Sequence, residues 1–265
     1  MSQLSPSELS ILLVEPSDTQ RKIITHRLRD EGIASIQTAA SISEAKNIIK
    51  RHKPDLIASA MHFDDGSATE FLHYLKSDVR YQDIQFMLVS SETRREQLEV
   101  FRQSGVVAIL PKPFYSEHLG TALNATIDLL SHDELELSHF DVQDLRVLVV
   151  DDSRMARNVV KRTISNLGMK LITEAEDGAQ AIALMKQHMF DLVITDYNMP
   201  SVDGLALTQY IRNESQQSHI PILMVSSEAN DAHLSNVSQA GVNALCDKPF
   251  EPQLVKKLLQ QLLEE

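Results

Sequence analysis

The chain has 265 residues, of which 43% are hydrophobic, and a single cysteine. That is about two ordinary globular domains, which excludes a disordered chain or a minimal scaffold; the lone Cys246 excludes an intramolecular disulfide and points to a reducing compartment, the cytosol. A formal net charge of -12 argues against nucleic acid as a partner, because phosphate contacts need clustered Lys and Arg.

The N-terminal MSQLSPSELS is polar, without a basic start or an apolar core, and no later apolar run approaches the roughly 18 residues of a membrane span. A soluble, cytoplasmic protein with no membrane partner is expected. The first structural blocks are SILLVEPS (10–17), DLIASA (55–60), FMLVSSE (86–92) and LPKPF (110–114). An acidic stretch without a strand pattern, SHDELELSHFDVQD (131–144), separates them from RVLVVDDS (146–153), DLVITD (191–196), ILMVSSE (222–228) and CDKPF (246–250). Residues 15, 60, 90 and 112 each stand 136 positions before 151, 196, 226 and 248, and one unbroken register across four blocks means a duplicated domain.

Each copy alternates short apolar runs with longer stretches at helical spacing. In the second copy the runs are 147–150, 171–175, 192–195, 220–225 and 244–246. They read as strands covered on both faces, with crossover helices such as 155–167 and 178–188 between them. Parallel strands with right-handed connections follow, so the expected fold class is α/β, two tandem doubly wound five-stranded parallel sheets. The expected boundaries are 1–132 for the first domain, 133–143 for a linker or a helical extension of its last helix, and 144–265 for the second domain.

Open parallel sheets bind ligands at the carboxyl ends of their strands. There the second copy places Asp151 and Asp152 after its first strand, Asp196 after the third, Ser226 after the fourth and Lys248 after the fifth. Three converging carboxylates repel one another unless a cation neutralises them. An all-oxygen donor set with no Cys or His pair suits Mg²⁺ better than zinc. A carboxylate beside Mg²⁺ and a lysine can attack phosphorus and become an aspartyl phosphate, with the Ser226 hydroxyl on a phosphoryl oxygen. Alone, Asp151-Asp152-Ser153 is more simply a helix N-cap; the functional reading comes from the whole set at matching strand ends.

These residues resemble a response-regulator receiver domain of two-component signalling, of the single-domain CheY type with its flavodoxin-like sheet. The likeness is carried by VLVVDDSRMAR (147–157), EAEDGAQAI (174–182), DLVITDYNMPSVDG (191–204), PILMVSSE (221–228) and DKPF (247–250), and it extends more weakly to the first copy. The resemblance implies that Asp196 accepts a phosphoryl group and that Asp151, Asp152, Asp196 and the backbone carbonyl of Asn198 bind Mg²⁺. It also implies that Ser226 is the switch hydroxyl, that Lys248 pairs with the aspartate, and that the peptide before Pro249 is cis. One departure stands out: where the family usually has an aromatic switch residue, three positions before the lysine, this chain has Leu245, and the first copy has Ile109.

In the first copy Glu15, Pro16 and Ala60 stand for Asp151, Asp152 and Asp196, while Ser90 and Lys112 are retained. The nucleophile is absent, and Ser59, one residue off in a strand, should face the other way. Pro16 suits the first turn of the following helix, and Lys112 is expected to pair with Glu15. His62, Asp64 and Asp65 are weaker substitutes as acceptors. The first domain therefore resembles a pseudo-receiver, whose surface can bind a partner, form a homodimer or dock on its neighbour.

After the second copy only EPQLVKKLLQQLLEE remains, read as its last helix, so the expected function is a phosphorylation-controlled regulator with no DNA-binding or enzymatic output domain. A sensor histidine kinase or a phosphotransfer protein is the expected donor, and output passes by protein contact to an unknown target. Service as a phosphorelay intermediate and a constitutive tandem-receiver scaffold are the alternatives. A flavodoxin-like cofactor enzyme is disfavoured, since DDSRMAR is not Gly-rich and three carboxylates would repel a flavin phosphate.

Overall fold

The computed structural model of the protein describes residues 4–131, 134–138, 141–226, 240–249 and 251–264, leaving aside the side chains of 95 and 96. It divides into two compact units, Met1–Ser131 and His132–Glu265. Of the motif residues quoted above, Ser227, Glu228 and Phe250 lie outside the described residues.

The first unit runs β1 (Ser10–Val14), α1 (Asp18–Asp30), β2 (Ser35–Ala39), α2 (Ile42–Arg51), β3 (Leu56–Ser59), a hairpin of β4 (His62–Phe63) and β5 (Gly66–Ser67), α3 (Ala68–Ser77), β6 (Gln85–Ser90), α4 (Arg95–Gln103), β7 (Ala108–Pro111) and α5 (Ser116–Leu130). The second runs β8 (Arg146–Val150), α6 (Arg154–Asn166), β9 (Leu171–Ala175), α7 (Gly178–Met185), β10 (Leu192–Asp196), α8 (Gly204–Asn213), β11 (Ile222–Ser226), β12 (Ala244–Asp247) and α9 (Pro252–Glu264). The sheet orders are β2-β1-β3-β6-β7 and, in the same sense, β9-β8-β10-β11-β12. All neighbours within each five-stranded sheet are parallel.

Alternation along the central strands builds two cores per unit. Ile11 and Leu13 pack with α1 and α5, and Leu12 and Val14 with α2 and α3. Val147 and Val149 meet Val160, Ile164, Val255 and Leu259, while Leu148 and Val150 meet Ala181, Leu207 and Ile211. Fully buried β3 and β10 fit the expectation of strands covered on both faces; β9 does not, since it is an edge strand with Leu171 half exposed and Thr173 and Glu174 interrupting its apolar run.

The segment between the units, expected as a linker or a helical extension, is neither helix nor strand at residues 134–138. Helix α5 stops at Leu130, with Ser131 already extended, and among the described residues no α-helix follows it before β8. Instead Leu135 is buried in the core of the second unit, and its N–H donates to the Leu167 carbonyl at 2.9 Å. Leu137 packs on the same core, and Asp141 caps a short 3-10 turn, Val142–Asp144, just before β8. Among the described residues no helix is long and apolar enough to cross a membrane.

Candidate functional site

In the second unit four strand ends deliver their polar residues to one place. Asp151 closes β8, Asp196 is the last residue of β10, Ser226 ends β11, and Lys248 follows β12; all four are buried, while Asp152 on the loop is exposed. Ser153 caps α6 by accepting from the Ala156 N–H, so the capping function falls to the serine and the two aspartates are left at the strand ends. Lys248 Nζ lies 2.9 Å from Asp151 Oδ2 and 3.0 Å from Asp196 Oδ1. One oxygen from each of Asp151, Asp152 and Asp196 falls within 4.8 Å of the others. The N–H of Lys248 donates to the Ser226 carbonyl at 2.8 Å, which ties the lysine to the serine strand. Asn198 is exposed on the loop after β10, and the Lys248-Pro249 peptide is cis, as is Lys112-Pro113 in the first unit.

One ammonium cannot neutralise three carboxylates. The Asp196 carboxyl is raised to about 6, with burial pushing it up, the charge of Lys248 pulling it down and the neighbouring Asp151 pushing it up again. Burial raises Asp151 as well, against the pull of Lys248. For Lys248 burial acts to lower the pKa, but Asp151 and Asp196 together outweigh it and the net shift is upward. The uncompensated negative charge and the all-oxygen donors fit a hard divalent cation, and Mg²⁺ in particular, which tolerates one or two carboxylates and keeps its remaining waters.

The first unit keeps the frame without that charge. Lys112 Nζ meets Glu15 Oε2 at 2.6 Å, the pairing that the loss of the aspartate predicts, and among the described residues no acidic cluster joins them. Ala60 is buried. Ser59 points its hydroxyl away, donating to the Ala60 carbonyl at 2.9 Å, as Thr195 does to the Asp196 carbonyl in the second unit. Ser90 accepts from the Glu92 N–H at 3.0 Å and sits 3.5 Å from Met61 Sδ. Pro16 precedes the N-cap Ser17, so it lies outside the first turn of α1, contrary to expectation. Of the substitute acceptors, Asp65 accepts from the N–H groups of Ile42 and Ser43 at the start of α2, which holds its carboxyl below the usual range, and His62 and Asp64 are exposed on the hairpin.

Leu245 is half-buried on β12, and Ile109 packs against the core that holds Phe101. Two residues beside the site were not singled out in the sequence. Arg157 donates to the Asp151 carbonyl at 2.6 Å, and Gly204 lies so close to Asp196 that a Cβ there would stand 2.1 Å from its carbonyl oxygen. The signal for Arg157 is its recurrence as Arg21 at the same offset, where it grips the Glu15 carbonyl.

The family model "Response regulator receiver domain" matches residues 11–124 and again 147–260. Among curated proteins, the chain is 36% identical over 122 residues to "Chemotaxis protein CheY-3" of Vibrio cholerae, covering 46% of this chain and 94% of the relative. It is 39% identical over 120 residues to "Chemotaxis protein CheY homolog" of Campylobacter jejuni, covering 45% and 92%. The solved chemotaxis response regulator CheY4 of Vibrio cholerae is 34% identical, with 45% of this chain and 98% of that one covered and a TM-score of 0.42. Since the two model matches together cover most of the chain and each reaches all five strands of one sheet, the chain belongs to the response regulator receiver domain family and is a two-component response regulator with its receivers in tandem.

Proposed function

We propose that the second receiver, 144–265, is a phosphoacceptor switch and that the first, 1–132, is a pseudo-receiver whose surface serves contacts only. The observation that carries this reading is Lys248 shared between Asp151 and Asp196, with Asp152 alongside, against a closed Glu15–Lys112 pair in the first unit. Asp151, Asp152, Asp196 and the Asn198 carbonyl hold Mg²⁺, which when bound offsets the charge of the incoming phosphoryl oxygens. Asp196 attacks the phosphorus of a phosphohistidine on a kinase or phosphotransfer protein; the P–N bond breaks, a P–O bond to the carboxylate forms, and the imidazole nitrogen takes up a proton. Lys248, already 3.0 Å from the Asp196 oxygen, then pairs with the phosphoryl group, and the Ser226 hydroxyl turns to it from the next strand. The product is a regulator whose output is a changed protein contact, not an enzymatic turnover.

Intact mass after incubation with acetyl phosphate and Mg²⁺ tests it. One phosphoryl adduct on the wild type and none on Asp196→Asn is the expected result. No adduct on a folded wild type overturns the reading.

A further inference from the structure

Beneath the loop that carries Asp151 and Asp152 lies Arg157, on the first turn of α6, its side chain only 6% exposed. Its Nη1 donates to the Asp151 carbonyl at 2.6 Å, its Nε reaches Glu174 at 3.3 Å, and its Nη2 reaches Glu176 at 3.2 Å. Lys161, one turn further along the helix, closes on the other oxygen of Glu174. A guanidinium holds its donors in a rigid plane, so Glu174 on β9, itself held by Lys161, sets the direction of the bond to the Asp151 carbonyl, with the exposed Glu176 a further partner at the rim.

The first unit repeats the grip but not the clamp. Arg21 donates to the Glu15 carbonyl at 2.6 Å, yet its other partners are the Pro16 carbonyl at 3.4 Å and Asp18 on its own helix at 3.0 Å. At the positions of Lys161, Glu174 and Glu176 it has Thr25, Thr38 and Ala40. The cross-brace to the neighbouring strand therefore accompanies the three carboxylates and is missing where they are missing.

We propose that Arg157, clamped by Glu174 and Glu176, is a positioning residue for the divalent cation: by fixing the Asp151 carbonyl it sets the aim of the Asp151 and Asp152 carboxylates. This rests on the phosphoacceptor reading of the same site. Arg157 acts through the main chain and touches no ligand itself. Its charge makes the role separable from simple electrostatics. Arg157 and Lys161 balance Glu174 and Glu176, so removing the arginine leaves the network negative. Electrostatics alone then predicts tighter Mg²⁺ binding in Arg157→Met, whereas lost positioning predicts weaker binding.

Calorimetric titration of the full chain with Mg²⁺ decides between them, with thermal unfolding of the metal-free proteins run alongside. Arg157→Met is expected to raise the Mg²⁺ Kd about tenfold, the lower end of what loss of an outer partner of a metal ligand does. Arg157→Lys, which keeps the charge but not the fork, is expected to raise it as well, and Arg21→Met in the first unit to leave it unchanged. An unchanged or lower Kd in folded Arg157→Met overturns the proposal, as does an equal rise in Arg21→Met. Should Arg157→Met not fold, Arg157→Lys decides in the same way. A wild type that binds no Mg²⁺ refutes the phosphoacceptor reading itself, and the positioning role falls with it.

Discussion

In the second receiver Lys248 stands between two buried carboxylates with a third beside them; in the first, Lys112 faces Glu15 and nothing else acidic gathers there among the described residues. The sheet order, the serine at the end of the fourth strand of the sheet and the cis peptide after the lysine are the same in both. What differs is electrostatic balance. A site with excess negative charge is held in tension until a cation or a proton arrives, and so it responds to one. A site in which one lysine meets one glutamate has no such vacancy for charge, and the scaffold around it is left with a single state to stabilise. On the proposed reading the first receiver can lose the chemistry and keep the fold, because the carboxylates are not what holds either sheet together; the apolar strands are.

The largest test of that contrast removes the lysines. Lys248→Met strands two buried carboxylates, and uncompensated buried charge costs about 3 to 5 kcal/mol. Lys112→Met strands one buried carboxylate, Glu15, where Lys248→Met strands two, so its cost should be the smaller, nearer about 3 kcal/mol, the lower end of that range. Urea unfolding at neutral pH without Mg²⁺ measures both. Equal losses from the two variants would break the comparison.

A second test is pH. The Asp196 carboxyl is raised from 3.8 to about 6 in the fold, so between those values the native state holds a proton that the unfolded chain releases. Stability from this group is fully present below about pH 4 and is lost as pH rises through about 6, by roughly 3 kcal/mol for a shift of about two units. The metal-free second receiver should therefore unfold more easily at pH 7 than at pH 5. Asp196→Asn should flatten that slope, and Mg²⁺ should offset the loss in the wild type but not in the variant. Thermal melts across the range, with and without Mg²⁺, check the sign.

Much of this contrast was legible in the residues themselves. The 136-residue register, the parallel sheets and the Glu15–Lys112 pairing all follow from strand runs and aligned blocks, because each is a local pattern read twice. The parts that were not legible depend on where distant segments meet. Asp65 caps α2 from 22 and 23 residues away, a long-range cap with no local signature. Leu135 and Leu137 anchor the inter-receiver segment to the second unit, yet in the sequence they sit in an acidic stretch that reads as solvated. The half-exposed β9 reads from its residues as a covered strand, because position in a sheet, unlike composition, is set by the path of the chain. Arg157 was hidden for the same reason, since its value lies in bridging a helix, an edge strand and a loop.

The smallest expected effect concerns the loops that follow the acceptor position. Gly204 and its counterpart Ala68 make the same turn bond, to the carbonyls of Tyr197 at 3.0 Å and Met61 at 2.9 Å. In the second unit, however, the chain passes so close that a Cβ at 204 would stand 2.1 Å from the Asp196 carbonyl oxygen. The first unit carries a Cβ at that position, fully buried, and reaches it through the β4–β5 hairpin. Gly204→Ala must therefore move backbone at Asp196, the proposed phosphoacceptor, and it should destabilise the second receiver by about 1 to 3 kcal/mol, the usual range for overpacking, while slowing labelling by acetyl phosphate. Ala68→Gly, by contrast, removes one buried methyl and adds chain freedom, which costs about 1 kcal/mol, and it should leave labelling as it was. If Gly204→Ala labels at the wild-type rate, the close approach of this loop is packing alone, and the difference between the receivers narrows to their charges.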